Sequence, residues 1–143
     1  MKPKFEFLEH VADAYVAAYG QSVSEAFQNA ALAMFEVMTD TGKVEPKIRE
    51  EVVVEEGDEQ ALLYSWLEQL LLKFEIEGKL YSRFDVSEIL QTDKGWRLRA
   101  TIFGEQFDPT KHESKAEVKA VTYHQMEIGQ WNDGYVLKFI LDL

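Results

Sequence analysis

A chain of 143 residues that is 46% hydrophobic and 13% aromatic is long enough to bury its own core and too apolar to be a disordered tail. Its formal net charge of −11, with no clustering of Lys and Arg, excludes a phosphate-tracking role on nucleic acid and suits a divalent cation or a basic partner. The absence of cysteine removes disulfides, thiolate zinc sites and thiol nucleophiles together.

The predicted elements form one domain over residues 1–143. "KFEFLEH" (4–10) alternates Phe5 and Phe7 with charged residues, as a half-buried strand does, and "AYVAAYG" (14–20) reads as a second strand. Ser22 and Glu25 have the spacing of a capping box. Behind it Phe27, Ala30, Ala31, Met34, Phe35 and Met38 recur at helical spacing as far as the "TDTG" turn. "EEVVVEE" (50–56) is a short strand, after which Asp58 caps a second helix. That helix carries an apolar stripe of Leu63, Trp66, Leu67, Leu70, Leu71 and Phe74, with Gly78 as its stop. Stripes of Met and aromatic residues at this spacing are expected to be core. From residue 79 strands take over: "KLYSRFDVSEIL" and "WRLRATIFGE" flank the turn "TDKG" and form the clearest hairpin. A polar loop, "QFDPTKHESK", leads to a strand at 116–129, and the turn "NDG" (132–134) leads to the last strand, "YVLKFILDL". The fold class is α+β, with two amphipathic helices packed on an antiparallel-rich sheet. The first twenty residues hold no signal-type apolar segment and no run approaches spanning length, so a cytoplasmic protein without a membrane partner is expected.

The chemistry-bearing residues are few. His10, His112 and His124 have no zinc-motif spacing, and there is no phosphate loop or nucleophile elbow, which argues against a self-contained hydrolase. On the 116–129 strand, alternation puts Lys119 and Tyr123 on one face and Ala120, Thr122, His124 and Met126 on the other. "EHVAD" places Glu9, His10 and Asp13 in a turn between the first two strands, while Asp142 stands next to Leu143 at the other end. If the strands carrying them are neighbours, Asp13, Asp142 and the main-chain carboxylate of Leu143 make an oxygen-rich set of the kind Ca²⁺ or Mg²⁺ prefers. Lys119 or His124 would then lie near that end. The plainer alternative has Asp13 capping a turn and Asp142 solvated at a strand end.

"EHVADAYVAAYG", "AFQNAALAMFEVM", "LLYSWLEQLL", "GEQFDPTKHE", "EVKAVTYHQMEI" and the terminal "FILDL", in that order, resemble the archease family over nearly the whole chain. The resemblance implies a protein cofactor and not an enzyme in its own right. Archeases activate the tRNA-splicing RNA ligase, promoting guanylylation of its active-site histidine from GTP and repeated turnover in tRNA splicing and RNA repair. The family was earlier regarded as general chaperones, and a chaperone-like binding domain is the alternative reading. The resemblance also implies a bound divalent metal, described as calcium, held at positions that correspond to Asp13, Asp142 and Leu143. Lys119 and His124 fall in its "KAVTYH" block and His112 in its "GE…D…H" block, which makes them functional candidates. Two departures stand out: Val11 replaces a threonine common in the family, and Gln69 stands where an acidic residue is usual, next to Glu68. An acidic protein of this kind would engage the ligase and not the RNA.

Overall fold

The computed structural model describes residues 3–8 and 13–143. In chain order the elements are β1 (Phe5–Leu8), β2 (Asp13–Gly20), α1 (Val23–Met38), a short 3-10 turn (Thr41–Lys43), β3 (Ile48–Glu56), α2 (Glu59–Glu77), β4 (Lys79–Thr92), β5 (Gly95–Gln106), β6 (Ala120–Trp131) and β7 (Gly134–Asp142). The expected α+β class holds, but the strands form two antiparallel sheets where one was expected. One sheet runs β1-β2-β7-β6 and the other β3-β5-β4. The helices lie between them: α1 packs on β2 and β7 of the first sheet and β4 of the second, and α2 on β6 and on all three strands of the second.

The reason is visible in the helices. α1 buries Ala26, Phe27, Asn29, Ala30, Ala31, Ala33, Met34, Phe35 and Met38, which together wrap most of its circumference. A helix resting on one sheet would leave half of those positions wet; covering them takes a second layer. The alanines keep α1 slim enough for both sheets to reach it. α2 presents Leu62, Leu63, Trp66, Leu67, Leu70 and Leu71 to the same core, and the Trp66 indole N–H donates to the Phe27 carbonyl at 3.0 Å.

Local signals act as the sequence suggests, with small shifts. The Ser22 hydroxyl accepts from the Glu25 amide at 3.1 Å, while Glu25 reaches back to the amide of Gln21, one residue before the cap. Asp58 caps α2 through the Ala61 amide, and Gly78 closes it in the left-handed region at φ 69°. Gly104 on β5 is needed for a different reason. A Cβ there would collide with the Leu80 carbonyl and the Tyr81 Cα of β4, neither of which can swing aside. Gly104→Ala is expected to cost about 1–3 kcal/mol through overpacking, readable as a lower denaturation midpoint with an unchanged slope.

The strand expected at 116–129 begins later and is interrupted. The amides of Lys115 and Ala116 donate to the carbonyls of Met38 and Val37, capping the end of α1, so pairing with β7 starts only near residue 119. β6 then bulges between the pairs Thr122–Ile140 and Glu127–Lys138, with Gln125 at φ 56°. The bulge breaks the expected alternation. Met126 is buried with Val121, whereas His124 is exposed and Thr122 half-buried, so these do not share one continuous face.

Candidate functional site

Strand β7 lies between β2 and β6, and this places the start of β2 beside the end of β7. Asp13, the first residue of β2, is the direct cross-strand partner of Asp142, the last residue of β7, and Ala120 of β6 faces Asp142 from the other side. The Lys119 amide adds a main-chain hydrogen bond to the Asp142 carbonyl at 2.7 Å. Alternation sets the orientation: Leu141 and Val121 are buried toward the helices, so Asp142 and its row face away from them.

Directly opposed residues on one face have Cβ atoms about 5 Å apart, where two like charges repel unless a cation lies between them. Asp13 is half-buried and Asp142 exposed, and half-buried Leu143 follows at once. A hard divalent cation takes oxygen donors of this kind: two carboxylates stand on directly opposed positions, and the main-chain oxygens of Leu143 would be the adjacent donors. Among the described residues no three His, Asp or Glu side chains cluster to hold a metal. Glu9, His10 and Val11 lie outside the described residues.

The remaining sequence candidates separate. Lys119 meets Asp142 only through its backbone. It lies on the strand face opposite Ala120 and lines a cleft with Met38, Phe74, Lys115, Glu117 and Val118. His124 is exposed in the bulge, four residues beyond Ala120 and about 13 Å along an extended strand. His112 is in another place altogether. It is 3% exposed, its Nδ1 accepts from the Asp108 amide at 2.9 Å, and its Nε2 meets Glu105 at 2.9 Å. With Nδ1 accepting, the Nε2 proton is the one donated to Glu105. That geometry makes His112 a clamp for the 107–115 loop, beyond reach of any partner. Gln69 is exposed, and Glu68 lies against Tyr64 on α2.

Two carboxylates that sequence reasoning did not single out prove to be structural anchors. Glu105 accepts from the Glu45 amide (2.8 Å), from Lys111 (2.8 Å) and from His112. Burial pushes its carboxyl up, but these donors outweigh it and hold the group down at about 2. Glu50 faces the helices from β3 and binds Lys79 (2.8 Å), Lys73 (2.9 Å) and the Tyr81 hydroxyl (3.0 Å), tying β3, α2 and β4 together. Burial again raises its carboxyl and the bonds from Lys79, Lys73 and Tyr81 win, leaving it at about 2.

Fold and site thus define a small acidic α+β protein with an oxygen-rich strand end and, among the described residues, no side-chain cluster of the kind a self-contained metallohydrolase uses. The model of the archease protein family (MTH1598/TM1083) matches residues 5–143, and the chain belongs to that family. It is 48% identical to the protein archease of Sulfurisphaera tokodaii over 140 residues, covering 98% of this chain and 99% of the relative. It is 47% identical to the protein archease of Thermococcus kodakarensis, with coverage of 98% and 99%. Among solved structures, the solution structure of Methanobacterium thermoautotrophicum protein 1598 superposes with a TM-score of 0.86 at 45% identity, covering 98% of this chain and 99% of that one. An archease of Thermotoga maritima, described as a possible chaperone, shares the fold at a TM-score of 0.63 and 20% identity, over 100% and 97% of the two chains. No helix among the described residues is long and apolar enough to cross a membrane.

Proposed function

We propose that this chain is a protein cofactor of the tRNA-splicing RNA ligase, acting in the cytoplasm through the carboxylate pair Asp13–Asp142. The observation that carries the reading is the register between β2 and β7, which sets these two aspartates directly opposite each other beside Leu143. Membership of the archease family is consistent with a protein partner, and the ligase is the partner that the family resemblance implies. The net charge of −11 is consistent with docking on a protein, since it would repel RNA.

In this reading Asp13, Asp142 and Leu143 hold a divalent ion, Ca²⁺ by the family's precedent. When bound, the ion would supply charge neutralisation near the phosphates of GTP in the ligase. The chain's own part is positional. Pairing of Asp142 with both Asp13 and Ala120, backed by the Lys119 amide, fixes the carboxylates on a sheet instead of a loose terminus. A fixed carboxylate pair presented to the partner needs no reordering when the complex forms. Lys119 and His124 flank this end and would contact the ligase; His112 would act only by holding its loop.

The test is covalent transfer of GMP from labelled GTP to the ligase of the same organism, with and without this protein and a divalent ion. Acceleration is expected. If the ligase is unaffected while aggregation of unrelated clients is suppressed, the chaperone-like alternative replaces this one. That alternative draws on exposed Leu72 and Ile76, one turn apart on α2.

A further inference from the structure

Beside the carboxylate end, the bulge in β6 sets up a second feature. Tyr123 of β6 and Tyr64 of α2 stack face to face, with ring centroids 4.4 Å apart and planes 7° from parallel. Tyr123 remains 52% exposed, so one ring face is covered and the other is open to solvent. A stack placed only for core packing has no need of that open face. Nor does it need the backbone around it, where β6 gives up regular pairing and holds Gln125, a non-glycine residue, at φ 56°. A bulge re-aims the strand's side chains, and here it brings Tyr123 over α2.

The surroundings are negative. Burial and the neighbouring Glu68 raise the Tyr64 hydroxyl, and burial with Glu56, Asp58 and Glu68 raises that of Tyr123. These three carboxylates are occupied by neutral donors only: Glu56 accepts from the Ser65 hydroxyl at 2.6 Å, Asp58 from the Ala61 amide at 2.8 Å, and Glu68 lies against the Tyr64 hydroxyl. Among the described residues none of them is ion-paired with a lysine or arginine, although Glu50, Glu88 and Glu105 are.

We propose that the Tyr64–Tyr123 stack, rimmed by Glu56, Asp58 and Glu68, is a seat for an arginine side chain of a protein partner. An open aromatic face attracts a cation through its quadrupole, and surrounding carboxylates reinforce the attraction. Arginine fits better than lysine because a planar guanidinium lies flat on the ring while its N–H edge bonds carboxylates at the rim. The proposal rests on the reading that this chain works through a partner protein, and it names the chemistry that would hold that partner.

The experiment is a titration of the full chain with a short glycine-flanked arginine peptide, and with its lysine and citrulline counterparts, followed through tyrosine ring and backbone amide NMR shifts. The arginine peptide is expected to perturb Tyr64, Tyr123 and Glu68 and to bind about fivefold tighter than either counterpart. Tyr123→Ala should remove that preference, Tyr123→Phe should keep it, and Glu68→Gln should weaken it with the amide spectrum otherwise unchanged. Equal binding of the citrulline peptide, full binding by Tyr123→Ala, or shifts spread over the whole acidic surface would overturn the proposal. No ligase enters this titration, so its failure and a failure of GMP transfer are separate results.

Discussion

Glu105→Ala is expected to lower the melting temperature by roughly 10 °C, the largest stability loss of any single charged-residue change in this chain. Glu105 is 8% exposed, and its carboxylate is the acceptor for the Glu45 amide, Lys111 and the buried imidazole of His112. Removing it leaves a buried N–H on His112 and a lysine without its counter-charge, at a cost of about 3–5 kcal/mol. Glu105→Gln should recover only part of this, because an amide places a donor where three donors already converge. The same group makes stability acid-sensitive. Its folded pKa, about 2, is below the ordinary value of 4.5. Its contribution is therefore complete above pH 4.5 and lost as pH falls toward 2, and it amounts to about 3 kcal/mol at neutral pH. Glu50, also held at about 2, adds a loss of the same sign over the same window. In Glu105→Ala a plot of stability against pH should be visibly flatter between pH 5 and 2 than in the wild type, by roughly the Glu105 share.

The second large effect is expected at the strand end. Asp142→Asn removes one of two directly opposed carboxylates without changing shape. Without a divalent ion the variant should be as stable as the wild type or slightly more so, by up to about 1 kcal/mol, since a like-charge cross-strand pair is relieved. With Ca²⁺ the order should reverse. Binding to the folded state raises wild-type stability as the ion concentration exceeds the dissociation constant, whereas the variant should bind on the order of tenfold more weakly and respond little. Calorimetric titration, paired with melting curves at several Ca²⁺ concentrations, measures both parts. A wild-type chain whose melting does not move with Ca²⁺ or Mg²⁺ would remove the metal from the account.

Much of this molecule is legible in its sequence because local signals agree with the global fold. Ser22, Asp58 and Gly78 bound the helices as their chemistry dictates, and the hairpin of β4 and β5 follows from alternation and a turn. The division into two sheets was not legible, because periodicity tells which face of a strand is buried and not which strand it pairs with. The broad apolar surface of α1, alanines included, was the available sign that both sides of the helix are covered. The bulge in β6 was hidden for a related reason: nothing in "TYHQME" marks Gln125 for a left-handed conformation. Asp13 and Asp142 were legible only as candidates, since their proximity depends on a long-range register. His112 shows the converse. A lone histidine in a polar loop looks available to a partner, and only the fold reveals that Glu105 and the Asp108 amide have closed both its nitrogens.

The most direct test of the account compares wild type with Asp142→Ala in GMP transfer to the tRNA-splicing ligase, with melting curves recorded in parallel. The account predicts that wild type accelerates transfer, that Asp142→Ala does not, and that the variant unfolds at or above the wild-type temperature without divalent ion. Full acceleration by a normally folded Asp142→Ala would contradict it.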